Sequence, residues 1–186
     1  MESTIIGTLL SPLLSMASSE WTSRNEFKTL RGLALERLCR ELRWNVECIQ
    51  ASKADRTAVT LSLLRTKAFD SLVQADAPLD VLLKEDVRHE WLRERSFQSH
   101  NIHHAIRACS TVSDLIDESY HRIWMIKHLR QEAGLIDYFI EMRDLTLITL
   151  AHTQFYRRHG RPTKVSFLSV LDDLMSRICG GGASQE

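Results

Sequence analysis

Glycine and proline are scarce in this chain of 186 residues, which holds seven glycines and three prolines. Collagen-like and low-complexity chains need far more of both, so these classes are excluded. The same scarcity leaves few turn residues for a fold of many short strands. With 44% apolar residues, the chain is long enough to bury a substantial core as one domain. These counts predict an all-α fold, and the apolar patterns along the chain predict a bundle of six to eight helices.

Paired cysteines are also missing. The cysteines form no C-x-x-C motif, which excludes a zinc ribbon and a dithiol redox site. On helical patterns, isolated cysteines are expected to be small buried hydrophobes in a reducing compartment, so the sequence predicts a cytoplasmic protein. The four are Cys39, Cys48, Cys109 and Cys179.

Neither sign of charge is in excess. The 24 basic and 24 acidic residues give a formal net charge of zero at pH 7. This balance argues against a protein that wraps nucleic acid over its whole surface, but it leaves local basic patches open. Arginine outnumbers lysine 18 to 6, which favours forked contacts with carboxylate or phosphate, although a coding bias explains the ratio equally well.

Motifs for nucleotide-dependent and common hydrolytic chemistry are absent. The sequence has no G-x-G-x-x-G, no P-loop, no G-x-S-x-G and no H-E-x-x-H. We therefore expect no cofactor. The N-terminal region lacks the basic segment of a signal peptide. Its uncharged stretch, residues 3–19, is at the lower length limit of a membrane span and contains Pro12.

The N-terminal stretch has the least ordinary pattern in the chain. A predicted helix over residues 4–17 carries leucines on one face and small hydroxyls on the opposite face. These residues are Leu9, Leu10 and Leu13 and, opposite them, Thr4, Thr8, Ser11 and Ser15. An uncharged hydroxyl face suits packing on this domain or on a second subunit, contact with a membrane, or the lining of an oligomeric channel. We expect residues 1–22 to form a separate helix for assembly or membrane contact.

Residues 23–179 are predicted to form a single helical domain, followed by a flexible tail at 180–186. Ser23 and Glu26 have the spacing of a capping box at the start of a helix that ends near residue 50. The segment 135–158 is apolar around most of its circumference, which is typical of the central helix of a bundle. Further helices are predicted at 56–75, 78–94, 102–109, 111–133 and 166–178, with a break near 96–101.

An arginine and a histidine separated by four residues, Arg95 and His100, stand at this predicted break. In such a pair, the arginine stabilises the charge of a phosphorane and the histidine transfers a proton, which is the chemistry of metal-independent RNA cleavage. Arg93–His100 and Arg122–His128 match the same R-x(4–6)-H pattern, and about two matches are expected by chance. Ordinary surface positions are the alternative interpretation of Arg95 and His100.

This motif, the all-α pattern and the uncharged N-terminal helix resemble small HEPN-type accessory and effector proteins of CRISPR and other anti-phage systems. The resemblance covers residues 78–158 and implies a HEPN-like core, with Arg95 and His100 forming a ribonuclease site, or its remnant, across a dimer. Ser96 stands where the family commonly has another polar residue, asparagine or aspartate.

The expected function is that of a small all-α interaction or effector protein. It self-associates through or near its N-terminal helix, in contact with a membrane, and the resemblance implies a role as an accessory factor in anti-phage defence. The alternative is a metal-independent HEPN-type ribonuclease that acts as a dimer. The expected partners are further copies of the chain, a membrane surface, RNA and a protein partner.

Metal-binding patterns are incomplete. Three histidines share one helical face, but no cysteine or carboxylate on the same turn completes a site. Glu118 and His121 form one E-x-x-H pair, whereas a di-iron bundle needs two such pairs and two further glutamates. We therefore expect no metal, and we expect the acidic stripe of the central helix to face solvent or to pair with arginines. The histidines are His100, His103 and His104, and the stripe is Asp137, Glu141 and Asp144.

A basic run at residues 157–164 follows the predicted central helix. Cations at this position complement the helix dipole, and they also suit phosphate groups of RNA or of an anionic lipid. The candidate phosphate contacts are Arg157, Arg158, Arg161 and Lys164.

Overall fold

A computed structural model describes residues 22–55, 60–74, 83, 85–128, 135–157 and 163–179. These residues form seven α-helices and one short 3₁₀-helix, with a single isolated β-bridge and no strand among them, so the all-α prediction is confirmed. In chain order the elements are α1 (Thr22–Asp55), a 3₁₀-helix (Thr60–Leu63), α2 (Lys67–Gln74), α3 (His89–Leu92), α4 (Ile102–Arg107), α5 (Val112–His128), α6 (Leu135–Arg157) and α7 (Lys164–Cys179).

Helix α6 is the centre of the bundle, as its apolar circumference predicts. Every residue from 142 to 153 is buried, and α1, α5 and α7 pack around the helix. Three threonines on α6 donate their hydroxyl hydrogens to carbonyl oxygens four residues earlier, which satisfies these polar groups inside the core. They are Thr146, Thr149 and Thr153.

The predicted continuous helix at 56–75 is wrong within its described residues. The 3₁₀-helix and α2 are separated by a non-helical link at 64–66. The side-chain amide of Asn45 on α1 donates to the carbonyl of Arg65 at 2.7 Å and accepts from its N–H at 2.8 Å. The buried carboxylate of Glu41 accepts from the N–H of Ala68 at 2.8 Å, at the first turn of α2. These bonds occupy backbone groups that a continuous helix would use internally.

The predicted helix at 78–94 is also wrong over most of its described part. Residues 85–88 pair with the chain at the start of α5. The N–H of Val87 donates to the carbonyl of Ser110 at 3.0 Å, and the N–H of Val112 donates to the carbonyl of Glu85 at 2.9 Å. Only the four residues of α3 are helical there. The expected break near 96–101 is present, and α4 begins at Ile102.

The proposed separate helix at 1–22 and the tail at 180–186 lie outside the described residues, apart from Thr22, the first residue of α1. The side chains of the predicted capping box, Ser23 and Glu26, are likewise not described. Among the helices that the structure does describe, none combines the length and the apolar character needed to cross a membrane.

Candidate functional site

A cleft of about 210 Å³ lies between α3 and α4, and we call it the basic cleft. Each helix contributes an imidazole, an apolar side chain and a guanidinium to the lining. From α3 and the residue after it come His89, Leu92 and Arg93, and from α4 come His103, Ile106 and Arg107. No carboxylate is part of this lining.

The same short pattern, H-x-x-(L/I)-R, places these six residues. It occurs as residues 89–93 and again as residues 103–107. Positions i, i+3 and i+4 share one face of a helical turn, so each copy presents its three side chains together. Leu92 and Ile106 are buried and anchor the two helices, whereas the polar residues stand at the surface. Sequence reasoning missed this site, although the repeated pattern itself was a readable signal.

The charges of the basic cleft are not neutralised by the described residues. Arg93 and Arg107 are both exposed, and neither makes an ion pair with a described carboxylate. His103 is half-buried, and its ring meets the edge of Phe97 with the ring centroids 5.7 Å apart. The ring of Phe97 therefore restricts the orientation of one imidazole, while the guanidiniums keep the donor hydrogens that an anion would need.

The segment between the two helices is held from both sides. Arg95 forms an ion pair with Asp172 of α7, and Glu94 accepts two hydrogen bonds of 2.6 Å from Lys164. On the opposite side, the N–H of the buried Ser99 donates to Asp144 at 3.3 Å. These contacts fix the path of the chain between α3 and α4, and with it the separation of the cleft walls.

A buried ion pair lies behind this segment. Asp144 is fully buried and Arg143 is 2% exposed, and the guanidinium donates twice to one carboxylate oxygen, at 2.9 and 2.5 Å. Arg143 also donates to the side-chain carbonyls of Gln50 and Gln98 at 3.2 and 3.1 Å. Because buried charges carry a large desolvation cost, this fully bonded arrangement is consistent with a role in fixing the segment as well as in packing.

His152 of α6 lies beneath the start of α3. The N–H of Arg88 donates to its Nε2 at 3.3 Å, and its Nδ1 is 2.9 Å from the carbonyl oxygen of Ile148. Since a carbonyl only accepts, the proton of the neutral ring is on Nδ1. Complete burial lowers the pKa of His152 to about 4, so the ring is neutral at pH 7. This histidine holds the wall of the cleft and is closed to solvent.

The predicted pair Arg95 and His100 does not line the basic cleft. Arg95 is about one-third exposed and is engaged with Asp172. His100 is exposed in the turn before α4. Arg93, which belongs to an alternative match to the same motif, does line the cleft. The motif therefore falls on the segment that joins the two cleft walls.

The other predicted contacts are spread over the chain or lie outside the described residues. Lys164 starts α7 and pairs with Glu94, and the side chain of Arg157, the last residue of α6, is not described. Arg158 and Arg161 lie outside the described residues, as do all the N-terminal candidates. These N-terminal candidates are Thr4, Thr8, Ser11, Ser15, Leu9, Leu10 and Leu13.

The acidic residues of the metal patterns are engaged in ion pairs. Glu118 and Glu141 both bind the guanidinium of Arg122. Desolvation alone would lower the pKa of Arg122, but its interactions with the two carboxylates outweigh this effect, so the pKa is raised. Asp144 pairs with Arg143, whereas the side chain of Asp137 is not described. Within the described ranges, no three histidine, cysteine or carboxylate side chains come close enough to hold a metal ion.

The basic cleft has the chemistry of an anion site. Guanidinium forks bind phosphate through paired hydrogen bonds, and imidazoles donate, accept or transfer protons near neutral pH. The structure therefore shows an all-α domain with a compact cleft lined by two imidazoles, two guanidiniums and two apolar side chains. No family model, curated protein or solved structure gives a significant match to the chain.

Proposed function

We propose that this protein is a small all-α effector that binds RNA, with phosphate groups held in the basic cleft. The observation that carries the proposal is the meeting of two H-x-x-(L/I)-R turns in one concavity without a lining carboxylate. The two guanidiniums supply fixed positive charge, and the two imidazoles supply hydrogen bonds suited to phosphate and ribose oxygens.

The shape of the site favours RNA over a membrane surface as the source of the phosphate. The cationic groups come from two separate helical turns that line one concave cleft, an arrangement suited to a single inserted group. Electrostatic binding to an anionic membrane instead uses basic side chains spread over one outward face. The zero net charge of the chain agrees with a local contact, as opposed to wrapping of a duplex.

RNA binding is tested by fluorescence anisotropy with a labelled single-stranded RNA over a range of salt concentrations. The double variant Arg93→Gln/Arg107→Gln is expected to bind more weakly. The slope of log affinity against log salt is expected to become shallower by about 1.4, because each lost phosphate contact removes about 0.7. Arg40→Gln is the matched control, since Arg40 is an exposed arginine on α1. Equal affinities and slopes for all three proteins would refute the proposal.

Metal-independent RNA cleavage is a second candidate, favoured by the two imidazoles beside guanidiniums in the same cleft. The HEPN resemblance assigns this chemistry to Arg95 and His100, whereas the cleft offers His89 and His103. Purified protein is incubated with RNA in EDTA, and the single variants Arg95→Ala, His100→Ala, His89→Gln and His103→Gln are compared. Loss of cleavage in one pair of variants assigns the site to that pair. Cleavage that survives all four substitutions would exclude both sites.

We also propose that the protein self-associates through or near residues 1–22, in contact with a membrane. The resemblance to HEPN-type accessory proteins of anti-phage systems suggests this role. The support is the uncharged stretch at 3–19 with its stripe of hydroxyl residues, on a chain whose described α-helices all carry charged residues. Deletion of residues 1–19 is expected to lower the sedimentation coefficient beyond the loss of mass and to abolish flotation with liposomes. No change in either measurement would contradict this proposal.

A further inference from the structure

We propose that the basic cleft recognises a terminal phosphate monoester, the phosphorylated end of an RNA strand, in preference to phosphodiesters within the strand. This inference rests on the proposed RNA binding and names the group that the cleft selects. It assigns Arg93 and Arg107 as the phosphate contacts, with His89 and His103 beside them.

Charge is the first argument. A phosphodiester carries one negative charge, whereas a phosphate monoester carries about −1.5 to −2 at pH 7. Arg93 and Arg107 provide two positive charges on the lining of the cleft. Since the lining contains no carboxylate and Glu94 nearby is occupied by Lys164, this pair matches a dianion more closely than a monoanion.

Size is the second argument. Pockets that enclose whole drug-sized ligands have volumes of about 300–1,000 Å³. Domains that bind single-stranded nucleic acid follow its backbone in a groove that spans about 4–16 nucleotides. The basic cleft has a volume of about 210 Å³. A cleft of this size accommodates one end group with its sugar, and it is too small to follow a strand.

The floor of the cleft is the third argument. Leu92 and Ile106 are 1% and 2% exposed, so the base of the cleft consists of fixed apolar side chains, with the cationic groups above them. An apolar floor offers no hydrogen bonds to the polar edges of a base, so the polar contacts of the cleft come from its guanidiniums and imidazoles. Hydrogen bonds between oppositely charged groups are stronger than those between neutral groups, which favours the group with the highest charge.

The experiment compares the affinity of the full chain for one RNA sequence with a 5′-phosphate, a 3′-phosphate or hydroxyls at both ends. We expect one phosphorylated RNA to bind about ten-fold more tightly than the hydroxyl-ended RNA, as is typical for a charge-assisted contact. Adenosine 5′-monophosphate and inorganic phosphate are expected to compete with it. In Arg93→Gln and Arg107→Gln the preference is lost, whereas Arg40→Gln retains it. Circular dichroism of each variant verifies that the helices are intact.

The outcomes separate this inference from the proposed function. Equal binding of all three RNAs, weakened by Arg93→Gln and Arg107→Gln, would overturn end recognition and leave RNA binding supported. Binding of the mononucleotide and inorganic phosphate without binding of any RNA would overturn both the proposed function and the recognition of an RNA end, and would assign the cleft to small phosphate compounds. Retention of the preference in both arginine variants would overturn the assignment of the basic cleft.

Discussion

Lowering the pH from 7 to 4.5 is expected to destabilise the fold by placing a proton on His152. This ring is completely buried, its Nε2 accepts the N–H of Arg88, and its Nδ1–H donates to the carbonyl of Ile148. The ring of Phe167 packs against it in a tilted arrangement, with the ring centroids 4.5 Å apart. A second ring proton would remove the acceptor of the Arg88 N–H and would place a charge in an apolar site without an opposing carboxylate among its described contacts.

The magnitude follows from the difference in pKa between the two states. The pKa of His152 is about 6.5 in the unfolded chain and about 4 in the folded protein. The unfolded state therefore binds more protons between these values, and stability is lost as the pH falls from 6.5 towards 4. Each pKa unit corresponds to about 1.4 kcal/mol, and the interval from pH 6.5 to 4.5 covers slightly less than two such units of effect, so the loss at pH 4.5 is about 2.5 kcal/mol of unfolding free energy.

Urea denaturation of wild type, His152→Gln and His121→Gln at pH 7, 5.5 and 4.5 tests this effect. All three proteins share the titration of their carboxylates, so the difference in pH dependence between them isolates the histidine. His152→Gln is expected to be less stable at pH 7 but to lose about 2.5 kcal/mol less than wild type on acidification. His121 is exposed on α5, and its substitution should leave the wild-type pH dependence unchanged. Parallel curves for wild type and His152→Gln would refute the reasoning.

Three further predictions concern buried groups. Asp144→Asn is expected to lower the unfolding free energy by about 3–5 kcal/mol in urea denaturation, because it leaves the charge of Arg143 uncompensated. The double variant Arg143→Met/Asp144→Asn should recover most of that loss. A smaller loss in the single variant than in the double variant would contradict this prediction. Glu41→Gln should lower the unfolding free energy by about 1–3 kcal/mol in thermal melts, since the Glu41 carboxylate accepts hydrogen bonds from Tyr120 and from the first turn of α2. An unchanged melting temperature would contradict this prediction. Cys109 should react slowly with iodoacetamide at pH 8 until urea is added, because burial raises the pKa of its thiol to about 11. Rapid alkylation of the native protein would contradict this prediction.

The long helices could be predicted from the sequence because their own residues determine them. Helix α6 is apolar around most of its circumference and packs among three other helices, so the length of its apolar segment was sufficient evidence. The burial of the cysteines could be predicted in the same way, since Cys39, Cys48 and Cys109 are buried. In these segments local propensity and tertiary packing favour the same structure.

The two wrong helices failed because distant groups compete for their backbone. Around residue 65, a single side chain of α1, Asn45, binds both the N–H and the carbonyl of Arg65. At residues 85–87 the apolar spacing fits a helix equally well, but the backbone bonds to residues 110 and 112. Partners that lie 20 or more residues away are not visible in a periodicity, so the short elements were the ones that sequence reasoning misjudged.

The candidate site depends on those same short elements. Residues 89–93 and 103–107 each make only about one helical turn, which is too short for an amphipathic period to be recognised. The chain between them is positioned by contacts with α6 and α7. What the sequence did contain was the repeat of imidazole, aliphatic and guanidinium side chains at i, i+3 and i+4. An aliphatic residue fixed in the core beside two polar ones orients the polar pair outward, and two such turns facing each other create a cationic concavity without any long helix. In chains rich in arginine and histidine, a repeated turn of this kind is therefore more informative than a single arginine–histidine spacing, because a chance match seldom includes the buried anchor.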